Sequence, residues 1–87
     1  MKLKYQFAVE ELAGNYAAVA VEAGAAEFNG MLRMNEVGKV IFEALREETT
    51  REEIVGELKK QFLGDEKDMH REVDAFTAKL AEAGLLV

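Results

Sequence analysis

The hydrophobic pattern of this chain changes period at Asn35. Before it, apolar residues alternate with polar ones; after it, they recur at helical spacing. A chain whose strand signals all precede its helix signals is expected to fold as α+β, with sheet and helices segregated along the sequence. In the N-terminal part, Leu3, Tyr5, Phe7 and Val9 alternate with Lys4, Gln6, Ala8 and Glu10, which predicts a half-buried strand over 3–12. Ala13-Gly14-Asn15 is a turn signal, because Gly and Asn tolerate positive φ. Residues 16–22, YAAVAVE, predict a second strand carried by Val19 and Val21. Its alanines suit a centre strand covered by helices. Ala23-Gly24-Ala25 reads as a second turn and residues 26–34 as a third strand. Three short strands with tight connections imply an antiparallel meander with the second strand in the middle.

Three helices are expected to follow. Val37, Val40, Ile41, Ala44 and Leu45 mark the first, with Asn35 as N-cap and Glu36 in its first turn. Gly38 costs that turn about 1 kcal/mol against alanine. It is either a tolerated packing glycine or a point where a neighbouring backbone comes close. Thr50 and Glu53 have capping-box spacing and open the second helix. Its face is Ile54, Val55, Leu58 and Phe62, and Gly64 closes it. The third helix has Asp65 as cap, a stripe of Met69, Val73, Phe76, Leu80 and Ala83, and Gly84 at its C-terminal cap. Leu85-Leu86-Val87 is expected to fold back onto the core. Residues 1–87 read as one domain, a three-stranded sheet followed by a three-helix bundle.

The residue types that are missing exclude whole classes of chemistry. The chain has no Ser, Cys, Trp or Pro, and one histidine, His70. A nucleophile–base–orienter relay is hard to assemble from these residues, so the chain is not read as an enzyme. Without cysteine there is no disulfide and no thiolate metal site, which fits a reducing cytoplasm. The opening Met1-Lys2-Leu3-Lys4 leads into no long apolar run, so neither a signal peptide nor a membrane span is expected. Eleven basic against seventeen acidic residues give a net charge of −6, which argues against nucleic acid as partner. His70 lies off the apolar stripe of its helix and reads as solvated. Glu10-Glu11, Glu47-Glu48 and Glu52-Glu53 diverge as neighbours and do not converge on an ion.

The third strand is the oddity. It is an edge in a three-strand meander, yet Arg33 is its one charged residue between Phe28 and Met34 and it has no proline. Either it is short enough to be harmless, or it is left open for a peptide to add as a fourth strand. The stripe of the third helix is expected to be core. Glu72 and Lys79, to one side of it, are placed to border a groove.

The segments AAEFNGMLRMNEVGKVIFEAL (25–45), TTREEIVGELKKQF (49–62) and EVDAFTAKLAEAGLL (72–86) together resemble the PqqD-like family, named for pyrroloquinoline quinone biosynthesis protein D. The most specific piece is Met34-Asn35-Glu36-Val37-Gly38, although the family usually has leucine at the position of Met34 and often threonine at that of Val37. Phe76 and Gly84-Leu85-Leu86 match directly. The resemblance implies a winged-helix-like fold and a non-catalytic peptide chaperone, also called a precursor-peptide recognition element. It implies a leader peptide added beside the third strand, against the third helix. It also implies presentation of that peptide to a modifying enzyme, commonly a radical S-adenosylmethionine protein.

On this reading the backbone of Phe28, Asn29, Gly30, Met31, Leu32 and Arg33 pairs with the peptide, and Met31 and Arg33 meet its side chains. Met69, Glu72, Val73, Phe76 and Lys79 form the helix wall. The domain itself needs no cofactor. The rival readings are a winged-helix DNA-binding regulator, which the acidic second and third helices disfavour, and a self-association module pairing edge to edge as a homodimer.

Overall fold

The computed structural model of the protein describes residues 1–22, 24–28 and 30–87; Ala23 and Asn29 lie outside the described residues. The elements run β1 (Phe7–Leu12), β2 (Asn15–Ala20), α1 (Gly24–Glu27), β3 (Met31–Met34), α2 (Glu36–Ala44), α3 (Arg51–Gln61) and α4 (Glu66–Glu82). The sheet is antiparallel throughout, in the order β1-β2-β3. The fold is therefore the expected α+β arrangement, with one short helix more than the periodicity indicated.

The departures from the sequence expectation follow particular contacts. The first strand begins at Phe7, not at residue 3. The backbone of the preceding stretch serves the C-terminal tail instead: Leu3 bridges to Leu86, and the Lys4 N–H donates to the Leu85 carbonyl at 2.7 Å. In the β1–β2 hairpin the two loop residues are Ala13 (φ 51°) and Gly14 (φ 85°), and Asn15 is already the first residue of β2. Positive φ at both loop positions is what a two-residue hairpin turn of type I′ requires. The expected turn around Gly24 is a one-turn helix, α1, whose last bond runs from the Phe28 N–H to the Gly24 carbonyl at 2.9 Å. A side chain could not sit at residue 24, since a Cβ there would stand 2.7 Å from the Tyr5 Cβ. The third strand is consequently four residues long, not nine.

The helix starts follow the sequence closely. Asn35 Oδ1 accepts the Gly38 N–H at 2.8 Å, Thr50 Oγ1 accepts that of Glu53 at 3.2 Å, and Asp65 Oδ1 accepts that of Lys67 at 2.9 Å. Each satisfies one of the donors that a helix N-terminus leaves free. The end of α3 differs: the chain turns extended at Phe62, and Gly64 (φ +151°) lies in the link to α4 rather than at a helix cap. At the end of α4, Gly84 (φ +75°) takes the left-handed conformation. The Gly84 N–H donates to the Ala81 carbonyl and the Leu85 N–H to that of Leu80, a Schellman closure.

That closure turns Leu85 inward. Leu85 joins Ile41, Phe42, Leu45, Ile54, Val55, Leu58, Val73 and Leu80 in the solvent-free centre of the core. The sheet contributes Phe7, Ala18 and Met34, and the Phe7 ring meets Phe42 edge-on at 5.2 Å. On α2 the buried set is Gly38, Ile41 and Phe42, joined by Leu45 at the C-cap, while the expected Val37, Val40 and Ala44 are only half-buried. The helix is rotated so that its side-chain-free residue faces α4 and β3. A Cβ at Gly38 would stand 3.0 Å from Phe76 Cε2 and 3.1 Å from Met34 Cβ. Gly38 thus admits neighbouring side chains, not a neighbouring backbone. Among the described residues, no helix is long and apolar enough to cross a membrane.

Candidate functional site

The hydrogen-bond parity of the sheet decides which backbone groups are free. The Val21 N–H donates to the Gln6 carbonyl at 2.9 Å. In an antiparallel ladder, hydrogen-bonded pairs alternate with non-hydrogen-bonded ones. Stepping along the register from that pair, Val19, Ala17 and Asn15 turn their N–H and C=O groups toward β1. Tyr16 and Ala18 then turn theirs toward β3, where they oppose Met34 and Leu32. Met31 and Arg33 are left with their N–H and C=O groups pointing away from β2, along an edge that has no further strand among the described residues.

The pleat sorts the same residues by side chain. Met34 is buried and Leu32 half-buried on the face toward the helices, while Met31 and Arg33 are exposed on the opposite face. Phe28 lies outside β3. Its N–H closes α1, and its ring packs on the core 6.2 Å from Phe7. Gly30 is exposed just before the strand, and Asn29 lies outside the described residues. Of the described residues within β3, the geometry leaves Met31 and Arg33 with backbone groups facing outward.

A cleft of about 240 Å³ opens where β3 meets α4. Arg33, Met34, Asn35 and Gly38 line one side, and Glu72, Ala75, Phe76 and Lys79 the other. With 100° per residue, α4 divides into three faces. Met69, Val73 and Leu80 enter the core; Glu72, Phe76 and Lys79 face the cleft; His70 and Asp74 lie roughly opposite Glu72. Val73 has no exposed surface and offers nothing to a peptide, which corrects its place in the expected helix wall. Met69 is buried as well, and borders a neighbouring pit rather than the cleft itself. Phe76 is half-buried and presents an edge, held between Gly38 and the cleft.

The charges on the two sides of α4 differ in kind. On the side toward α3, Arg51 makes a two-pronged pair with Asp74, at 2.7 and 2.9 Å. The hydrogen bond to Arg51 holds the Asp74 carboxyl below its ordinary range, and Asp74 raises Arg51 in return. His70 is not the solvated side chain expected from its position. Its Nε2 lies 3.2 Å from Glu52 and its Nδ1 2.9 Å from the Glu66 carbonyl, with the side chain 19% exposed. The Glu52 carboxylate first, and that carbonyl second, push the imidazole above its usual value. These pairs join residues far apart in sequence, so no local signal announces them. In the cleft, by contrast, Arg33, Glu72 and Lys79 have no ion-pair partner among the described residues.

A larger concavity lies elsewhere, a seam of about 600 Å³ between α2 and α3. Most of its carboxylates are already engaged. Glu43 holds Arg46, Glu48 holds the N-terminal amine, Glu53 closes the Thr50 cap and Glu57 meets Lys60. That makes it a solvated seam of internal pairs, without the free backbone groups of the β3 edge.

A family model described as coenzyme PQQ synthesis protein D (PqqD) matches residues 21–86. No curated protein sequence matches the chain. Among solved structures, the chain is similar to TbiB1 in complex with the TbiA(beta) leader peptide, with a TM-score of 0.72 and 22% identity over 99% of this chain and 94% of that one. At that identity the likeness speaks to the fold, and it includes the β1–β2 hairpin that the family model leaves out.

Proposed function

The chain belongs to the PqqD family, and from that premise we propose that it is a non-catalytic peptide chaperone for the leader of a ribosomally made precursor peptide. The observation that carries this reading is the open edge beside the cleft. Met31 and Arg33 offer two N–H and two C=O groups to an extended chain, which adds there as a fourth strand. Alternate side chains of that peptide turn toward Met34 and Phe76, and the others lie beside Met31 and Arg33. The TbiB1 complex, similar in fold, supports a leader peptide as the ligand class.

Backbone pairing alone is too weak. Four hydrogen bonds contribute about 2–6 kcal/mol net, short of the roughly 8 kcal/mol that a micromolar complex needs. Burial of one apolar side chain against Phe76 and Met34 adds about 1.5–3 kcal/mol. The unpartnered Arg33, Glu72 and Lys79 then select among peptides by charge. The domain holds the peptide for a separate modifying enzyme, which we take to be a radical S-adenosylmethionine protein, and needs no cofactor for its own part.

The test is an NMR titration of the protein with a candidate precursor leader peptide. Shifts at Met31, Arg33, Glu72, Phe76 and Lys79 support the reading; shifts confined to β1 or α3 overturn the site. Sedimentation with and without peptide separates peptide addition from pairing of two copies through the same edge.

A further inference from the structure

We propose that a second pit, beside the cleft, is a subsite for the same peptide and takes an apolar side chain with a lysine or arginine next to it. This rests on the peptide-binding reading and adds the chemical class of the segment beyond the β-paired one. The pit holds about 220 Å³ between the first turn of α2, the end of α3 and the start of α4. Its apolar lining is Val37, Leu58, Phe62 and Met69, and Leu63 stands fully exposed at the lip. Its charged lining is Asp65, Asp68 and Glu72, with no basic residue among them. A buried apolar floor under a rim of one sign fits a side chain that is apolar, carried by a chain that is locally cationic.

Helix-end electrostatics account for only part of that rim. Asp65 caps α4, and Asp68 sits in its first turn and meets Arg71 at 3.2 Å. Both answer the positive end of the helix. Glu72 is two turns in, beyond that influence, and unpaired among the described residues. It is also shared with the cleft at β3, so the two concavities adjoin along α4. Phe76 in the cleft and Met69 in the pit are seven residues apart on the helix, about 10 Å. An extended chain covers that distance in about three residues. The apolar–basic pair is therefore placed about three residues outside the strand-paired segment.

A displayed library of random peptides, selected on the immobilised full chain, tests this. The expected winners carry an apolar residue beside Lys or Arg at that spacing, and shift the methyl signals of Leu63 and Met69 as well as the amides of Met31 and Arg33. Asp68→Lys should weaken those winners about two- to fivefold, the range of a surface ion pair, and reselection on it should lose the basic preference. Winners that shift Met31 and Arg33 but leave Leu63 and Met69 unmoved, with no basic preference, overturn the second subsite and leave the strand-addition reading standing. Winners that leave Met31 and Arg33 unmoved, or a library that yields none, overturn the reading on which it rests.

Discussion

Phe76 and Gly38 are in contact at the seam of α4 and α2: a methyl group added at residue 38 would stand 3.0 Å from the Phe76 ring. That approach sets both the rotation of α2 and the position of the aromatic edge in the cleft. Gly56, inside α3, has no atom within 4 Å of the same test position. The two glycines should therefore respond oppositely to alanine. Gly56→Ala should stabilise the fold by about 0.5–1 kcal/mol, the helix propensity difference alone. Gly38→Ala gains the same amount but must displace Phe76 or Met34, at about 1–3 kcal/mol, and should come out neutral to destabilising. Urea unfolding of the two variants measures the contrast; equal stabilisation of both would remove Gly38 as a close-approach site.

His70 should give the fold a pH dependence near neutrality. Glu52 and the Glu66 carbonyl hold its proton, so its folded value lies above the ordinary 6.5. A group raised on folding contributes its full stabilisation below the unfolded value and loses it as pH rises through the folded one. Between about pH 6 and 8, where an imidazole titrates, the histidine's contribution should fall with pH. Glu52→Gln should flatten that part of the dependence. An unchanged slope in urea midpoints across this range would show that the pair does not operate in solution.

Leu85 should prove structural although it is third from the end. Its side chain is 1% exposed, and the Schellman turn at Gly84 aims it into the core. Leu85→Ala should cost about 2–5 kcal/mol, a large part of the roughly 5–10 kcal/mol available to a domain of this size. Val87→Ala, at an 80% exposed position, should cost almost nothing. Thermal unfolding of both compares them directly.

What could be read from the sequence was what depends on near neighbours. Asn35, Thr50 and Asp65 cap their helices through bonds to residues two or three positions on. The change of period at Asn35 separated sheet from helices for the same reason. Phe42 was absent from the expected stripe because the rotation of α2 depends on Gly38 meeting Phe76, across 38 positions of chain. The pairs Arg51–Asp74 and His70–Glu52 were hidden likewise. At the site, the open edge and the flank of α4 were legible as separate patterns. That Val73 turns away, and that Met31 and Arg33 alone hold the outward backbone groups within β3, follows from packing and ladder parity, which residue types do not encode.

The most direct test of the central claim is amide hydrogen exchange along β3, with and without a bound precursor peptide. In the free protein, Leu32 and Met34 should be protected by β2, while Met31 and Arg33 exchange fast. With peptide bound, Met31 and Arg33 should become protected as the fourth strand forms. If Met31 and Arg33 stay as fast in the complex as in the free protein, the peptide does not add to this edge.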